Sequence, residues 1–233
     1  MTTAPEPHRT PWPFAMHVAE RIVGELGNFC ERIEIAGSVR RRRESVKDIE
    51  VLAVPRFFAV PKDMLGNPVG AAADYLTVYP EAQIKGTLSP WSFRLSKAGH
   101  PAFGPLNKLL VYKAATPQCP EIAVDVFTGT AANWGRDLWV RTGPAAWNTA
   151  CAARAQSLGM RMHAYGPAAF TREGLPVTCP TEEAFARMLR LELPKPEDRT
   201  PDAARGLWLL TYLEDEDKGT WEEYPDLSQA TWT

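Results

Sequence analysis

Long apolar runs are missing from this sequence. None of its stretches approaches the roughly 18 to 20 residues needed to cross a bilayer, and the Pro-rich start Met1 to Pro13 has no apolar core of a secretory signal. A protein without a membrane partner, placed in the cytoplasm, is the expectation. Cysteine is scarce as well: Cys30, Cys119, Cys151 and Cys179 are widely spaced with no C-x-x-C pair, which argues against a zinc site or a disulfide framework and for reduced, buried thiols. Net charge is nearly absent, at -2. Any contact with a polyanion must therefore come from local patches rather than from a global field. Repeats and low-complexity tracts are lacking too. What remains is a 233-residue chain with 45% hydrophobic and 23% charged residues, ordinary globular composition and enough for one sizeable core or two small ones.

Phe14, Val18, Ile22, Val23 and Leu26 recur at helical spacing, so a helix is predicted over Phe14 to Leu26, ending near Gly27. Arg32 to Ala36 alternates polar and apolar and runs into Gly37-Ser38; Lys47 to Val54 begins with the same alternation and reads as a second strand. Pro55 to Pro68 reads as a loop and Gly70 to Tyr79 as weakly helical. Four further strands are predicted at Glu81 to Gly86, Trp91 to Lys97, Lys108 to Lys113 and Glu121 to Phe127, together a mixed sheet. The composition changes near Thr128. Helices are predicted over Ala131 to Val140 and Pro144 to Ser157, around a Thr142-Gly143-Pro144 break, and over Glu182 to Leu191, where Thr181 supplies an N-cap and Glu182 and Glu183 first-turn acids. The tail holds a short apolar stretch, Gly206 to Leu213, and an acidic, Trp-containing end.

Chemistry concentrates in two places. Asp48 and Glu50, one residue apart on a strand, point to the same face because successive side chains alternate. Two such carboxylates repel unless they are solvated or share a cation, and hard oxygen ligands suit magnesium. Alone the pattern is weak. It gains weight from the stretch ahead of it, Gly37-Ser38-Val39-Arg40-Arg41-Arg42-Arg43, where a Gly-Ser turn offers N–H groups and a hydroxyl to a phosphate and arginines neutralise it. An arginine run by itself is ordinarily a solvated basic face.

Residues Gly37 to Leu52 resemble, without a gap, the palm motif of the family X DNA polymerases, in which G-S, two arginines and a glutamate precede a pair of acids. Ile122-Ala123-Val124-Asp125-Val126 is similar to the strand bearing that family's third carboxylate. Thr142-Gly143-Pro144-Ala145-Ala146-Trp147-Asn148 looks like its T-G-S-x-x-F-N segment, followed by His163-Ala164-Tyr165-Gly166, and Thr181 to Arg199 looks like its closing helix and P-x-x-R ending. The resemblance, covering Pro11 to Thr200, implies an α+β fold: a nucleotidyltransferase palm over 11–128, with a mixed β-sheet flanked by helices, a small α/β C-terminal lobe over 129–200 that binds the nascent base pair, and an acidic extension over 201–233.

It further implies a DNA polymerase of repair type that takes a nucleoside triphosphate and a primer-template or gapped DNA and uses two Mg2+ ions, with Mn2+ as a substitute. Asp48, Glu50 and Asp125 would be the catalytic metal ligands, with Asp125 helping to deprotonate the primer 3′-hydroxyl. Gly37, Ser38, Arg41 and Lys47 would meet the triphosphate; Gly143 would let the backbone approach the sugar, and Trp147 and Asn148 would lie at the base. For Trp147 and Asn148 ordinary helix packing competes with that role. Nothing matches the family's lyase domain or DNA clamps, since 36 residues precede Gly37, so lyase activity is not expected. Departures are Glu50 in place of aspartate, Lys47 where glycine is common, and Val140-Arg141 in place of an aromatic pair. Two alternatives stay open: transfer to an RNA end, a protein or a small molecule, and an inactive core serving as a subunit. In each, the acidic tail would suit a protein partner.

Overall fold

The computed structural model describes residues 9–58, 64–65, 74–84, 89–95, 99–114, 120–163 and 166–215. The chain divides into two compact units, one of residues 1–39 and 43–129, the other of residues 40–42 and 130–233. Among the described residues no helix is long and apolar enough to cross a membrane.

The first unit begins with a two-residue strand β1, Thr10–Pro11, and helix α1, Trp12–Gly27. Pro13 is tolerated there because first-turn N–H groups lack intrahelical partners anyway. Ala15, Val18, Ala19, Ile22 and Leu26 form the buried stripe of α1, at helical spacing. Phe14, expected on that stripe, is instead 40% exposed, because its neighbour Ala15 points to the core. Next come β2 (Cys30–Ile35), a single helical turn α2 (Gly37–Arg40), β3 (Ser45–Val46), β4 (Asp48–Pro55), α3 (Tyr75–Ile84), β5 (Trp91–Phe93), β6 (Asn107–Tyr112) and β7 (Ile122–Thr128).

Five of these strands form one mixed sheet in the order β2-β4-β7-β6-β5. Among the described strands only β4 and β7 run parallel, which requires the long crossover through α3, β5 and β6. Ile49, Val51 and Ala53 of β4, Val124 and Val126 of β7, and Leu110 and Tyr112 of β6 pack with the α1 stripe into one core. The residues alternating with them in β4 and β7 therefore face away from that core, and among these are Asp48, Glu50 and Asp125.

One predicted strand is corrected. Glu81 to Gly86 was expected to be extended, but the helix continues to Ile84. Asp74 explains this: its carboxylate accepts from the Thr77 N–H at 2.7 Å and the Thr77 hydroxyl at 2.7 Å, an N-cap that fixes the start of α3, while Leu76 anchors it at 0% exposure. Residues 85–86, like most of the Pro55 to Pro68 loop, lie outside the described residues, as do 70–73, 96–97, 164–165, Cys119 and the tail beyond 215.

The second unit contains a 3-10 turn at Ala131–Asn133, α4 (Trp134–Thr142), α5 (Ala145–Ser157), the strands β8 (Arg161–Met162), β9 (Ala169–Phe170) and β10 (Pro176–Val177), then α6 (Glu182–Met188), a 3-10 turn at Pro196–Asp198, and α7 (Pro201–Asp215). The strands form a small antiparallel sheet, β10-β9-β8; an α/β lobe was expected, but its strands were not located because two-residue strands carry no periodicity. Trp139, Trp147, Cys151, Phe185, Leu189, Ala204 and Leu207 make its core. Gly135 is required within α4: a Cβ there would collide with the Thr181 backbone, and its N–H donates to the Cys179 carbonyl at 2.9 Å. Thr181 caps α6 as expected, its hydroxyl accepting from the Ala184 N–H at 3.1 Å. The helix stops at Met188, short of the expected Leu191, because Arg190 turns into a left-handed conformation at φ 54°. Cys30, Cys151 and Cys179 are free and buried.

Candidate active site

In the parallel β4–β7 ladder Glu50 is the register partner of Asp125, and Asp48 pairs two residues earlier with Ala123. Register partners on adjacent strands share a face, so all three carboxylates stand on the same side of the sheet, across from the α1 core. The row continues outward, because Leu109 of β6 is the register partner of Asp125 and the Arg94 N–H donates to the Leu109 carbonyl at 3.0 Å. The Arg94 guanidinium lies 2.8 Å from Asp125 Oδ1. A hydrogen-bonded row across the sheet thus aligns Glu50, Asp125 and a cationic side chain, over a sequence separation no local motif spans.

The turn ahead of β4 closes against the same row. Gly37 has φ 60°, and a Cβ built on it would stand 2.8 Å from Glu50 Cδ and closer still to its oxygen. The Glu50 carboxylate thus lies directly over the glycine, which is required both for its left-handed backbone and for the space above it. The Ala36 N–H donates to the Glu50 carbonyl at 2.8 Å, and the Arg43 N–H to the Ser38 carbonyl at 3.1 Å, which holds the Gly-Ser turn beside the acidic strand. Ser38 is half-buried; Lys47 is exposed.

Among the described residues no three acidic, histidine or cysteine side chains converge into a ready-made metal cluster. The donor chemistry nevertheless fits magnesium, since three carboxylates on two neighbouring strands supply hard oxygens on one face. Holding an ion would require them to turn toward a common point, and Arg94 to give up the Asp125 oxygen it pairs with.

Within the second unit the remaining sequence-marked residues fall into a different setting. Arg41 donates to the Thr142 carbonyl. Gly143 adopts φ 64° and ψ -152° and precedes a cis bond to Pro144; a Cβ on it would sit 3.2 Å from Arg41 Nη1. Trp147 is buried against Trp139, ring centroids 6.2 Å apart, which gives it a packing role. Asn148 is 4% exposed; its amide donates to the Val140 carbonyl at 2.8 Å, while its Oδ1 has no partner among the described residues.

Sequence reasoning did not find the arrangement around Glu182. Its carboxylate accepts from Arg40 Nη1 at 3.0 Å and Nη2 at 2.6 Å, and from Arg199 Nη2 at 2.8 Å. Arg199 is fully buried, with its guanidinium carbon 4.2 Å above the Trp139 ring, and Arg40 also donates to the Thr142 hydroxyl at 2.8 Å. Burial raises the pKa of Glu182, but the Arg40 hydrogen bonds and the charges of Arg199 and Arg40 outweigh it, so the net shift is downward. Arg40 is therefore a structural ion-pair residue within an arginine run whose later members Arg42 and Arg43 are exposed. A first-turn acid such as Glu182 gives no local sign of such partners. No protein-family model matches the chain, and no curated protein matches it in sequence.

Proposed function

We propose that the chain is a metal-dependent nucleotidyltransferase that adds nucleotides to a DNA 3′-hydroxyl, with the palm fold of the family X polymerases in its first unit. The observation that carries this reading is the register of Glu50 with Asp125, which puts three carboxylates on one sheet face beside a Gly-Ser turn. Asp48, Glu50 and Asp125 would hold divalent ions, Mg2+ or Mn2+, whose chemistry in this reaction class is to acidify the hydroxyl and to neutralise the leaving pyrophosphate. Gly37 and Ser38 offer backbone N–H groups and a hydroxyl to the triphosphate, and Lys47, exposed at the head of β4, adds a positive charge. Asp125 draws the proton from the 3′-hydroxyl as its oxygen bonds to the α-phosphorus and the bond to pyrophosphate breaks. Arg41, Gly143 and Asn148 keep the triphosphate, sugar and base roles that the resemblance implies as separate expectations, while Trp147, buried against Trp139, serves packing.

A second acceptor class is favoured by one observation: a net charge of -2 gives no general attraction to DNA. Purified protein should be incubated with Mg2+ or Mn2+, labelled nucleotides and a panel of gapped, primed and single-stranded DNA and RNA. Extension of gapped or primed DNA is expected, and Asp125→Ala should lower it by about 10²-fold or more while leaving the fold intact. RNA-only labelling moves the proposal to the second acceptor class. Wild-type turnover in Asp125→Ala, or no transfer to any acceptor, overturns it.

A further inference from the structure

Trp12 holds both ends of the arginine run. Its indole N–H donates to the Val39 carbonyl at 2.8 Å, and its backbone N–H donates to the Glu44 carbonyl at 2.9 Å. Just before it, Thr10 and Pro11 pair with Val46 and Ser45 as strands β1 and β3. Thr10 is buried at 1% exposure, as is Val46. One short stretch, Thr10 to Trp12, is thereby stapled to Val39 behind the Gly37-Ser38 turn and to Glu44, Ser45 and Val46 ahead of Asp48.

The consequence lies in what those two stems carry. Gly37 packs against the Glu50 carboxylate, and two residues after Val46 the chain enters β4 at Asp48. Residues 40–43 are four consecutive arginines, of which Arg40 is compensated by Glu182 and Arg41 donates to the Thr142 carbonyl, while Arg42 and Arg43 are exposed. The Arg43 to Ser38 hydrogen bond closes the loop from within, and Thr10 to Trp12 hold the two stems on which it stands. We infer that Trp12 is a positioning residue for the nucleotide site: its side chain fixes the Gly37-Ser38 turn relative to Asp48 and so sets how the triphosphate is received. This inference rests on the nucleotidyltransferase reading for its ligand, but the strap itself is a property of the fold. Trp12 touches no reacting atom, so its loss should act on nucleotide binding rather than on the chemical step.

The test is Trp12→Phe, which removes the N–H donor and keeps an aromatic ring, smaller than the indole, and the backbone bond to Glu44. Two measurements on the full chain are paired: amide hydrogen exchange over residues 36–48, and steady-state kinetics with dATP and Mg2+ on a primed or gapped DNA. Loss of one hydrogen bond of ordinary strength predicts exchange over 36–48 faster by about fivefold, and a KM for dATP raised by about fivefold with kcat within about twofold. The thermal midpoint should stay near wild type, since the α1 core is untouched. Unchanged exchange at 36–48, or a kcat loss with KM unchanged, overturns the inference. A wild-type protein that transfers no nucleotide, with exchange still raised in Trp12→Phe, sinks the nucleotidyltransferase reading and supports the strap.

Discussion

Glu182 is where a single substitution should cost most. Replacing it by Gln keeps the shape and removes the charge that compensates two guanidiniums, one of them, Arg199, at 0% exposure and the other, Arg40, at 21% for its side chain. Three charge-assisted hydrogen bonds end on this carboxylate. Their gross strength is not the measure, because the ion cluster already carries a desolvation cost. The measure is the penalty of leaving a buried guanidinium uncompensated, about 3 to 5 kcal/mol for breaking a buried pair from one side. Arg40 can regain water at its exposed edge and the Gln amide oxygen retains one acceptor, so the lower end, about 3 kcal/mol, is expected. With a urea slope of about 1 to 3 kcal/mol/M, the midpoint should fall by about 1 to 3 M. Tryptophan fluorescence is the natural probe, since Trp139 lies under Arg199 and Trp147 beside Trp139.

The same cluster predicts a pH dependence whose sign is fixed. The folded pKa of Glu182 lies below its ordinary value of 4.5, so its contribution is fully present above that value and is lost as pH falls through the folded pKa. The wild type should therefore exceed Glu182→Gln by the full margin at pH 7, and the two should converge as pH falls below 4.5. Removing Glu182 and Arg199 together, as Glu182→Leu with Arg199→Met, should cost less than Glu182→Gln alone, because the uncompensated buried charge goes with its partner. A loss under about 1 kcal/mol for Glu182→Gln, or a gap that does not narrow in acid, refutes the reasoning.

Gly37→Ala should disturb the carboxylate row, because the new methyl collides with Glu50 and the backbone sits at φ 60°; a stability loss of about 1 to 3 kcal/mol is expected by chemical denaturation, and Mn2+ affinity read by electron paramagnetic resonance should drop with it, an unchanged affinity counting against the site. Lys108 is 1% exposed, and its ammonium is 3.9 Å from Asp74; burial lowers its pKa from 10.5 despite that carboxylate. Its ammonium also donates to the Gly104 carbonyl at 3.3 Å. Lys108→Met should be neutral to mildly stabilising, because burial disfavours the ammonium more than Asp74 favours it, with any gain shrinking as pH rises toward 10.5, where wild type sheds the buried charge; a destabilised variant at pH 7 would show that the Asp74 and Gly104 contacts outweigh desolvation. Extension by the isolated chain should be distributive, one or a few nucleotides per encounter, and should weaken steeply toward about 0.15 M salt, because a chain of net charge -2 neutralises few phosphates. Long products at that ionic strength in a single-encounter assay would reveal a DNA-binding surface not accounted for by this charge distribution.

Much of the secondary structure in both units is written locally. Apolar spacing in α1, the alternation entering β4 and the Thr181 cap of α6 each depend on residues a few positions apart, where helical and extended geometry alone dictate which side chains share a face. For the same reason the common face of Asp48 and Glu50 needed no tertiary information. Where local signals were ambiguous, the fold decided. The Glu81 to Ile84 segment fits either period, and the Asp74 cap with the anchoring of Leu76 made it helical. Phe14 lost its place in the stripe to Ala15 because packing fixes helix rotation more finely than periodicity does. The pairings that matter most for chemistry lie between segments far apart in the chain. Asp125 reaches Glu50 only through the parallel β4–β7 register, and Arg94 reaches Asp125 only because β5 and β6 lie alongside. Arg40 and Glu182, 142 positions apart, meet only when the second unit folds around them. A sequence pattern states which side of its own strand or helix a residue occupies; which distant side chain stands opposite is decided by strand register and helix packing, and these are set by the core as a whole.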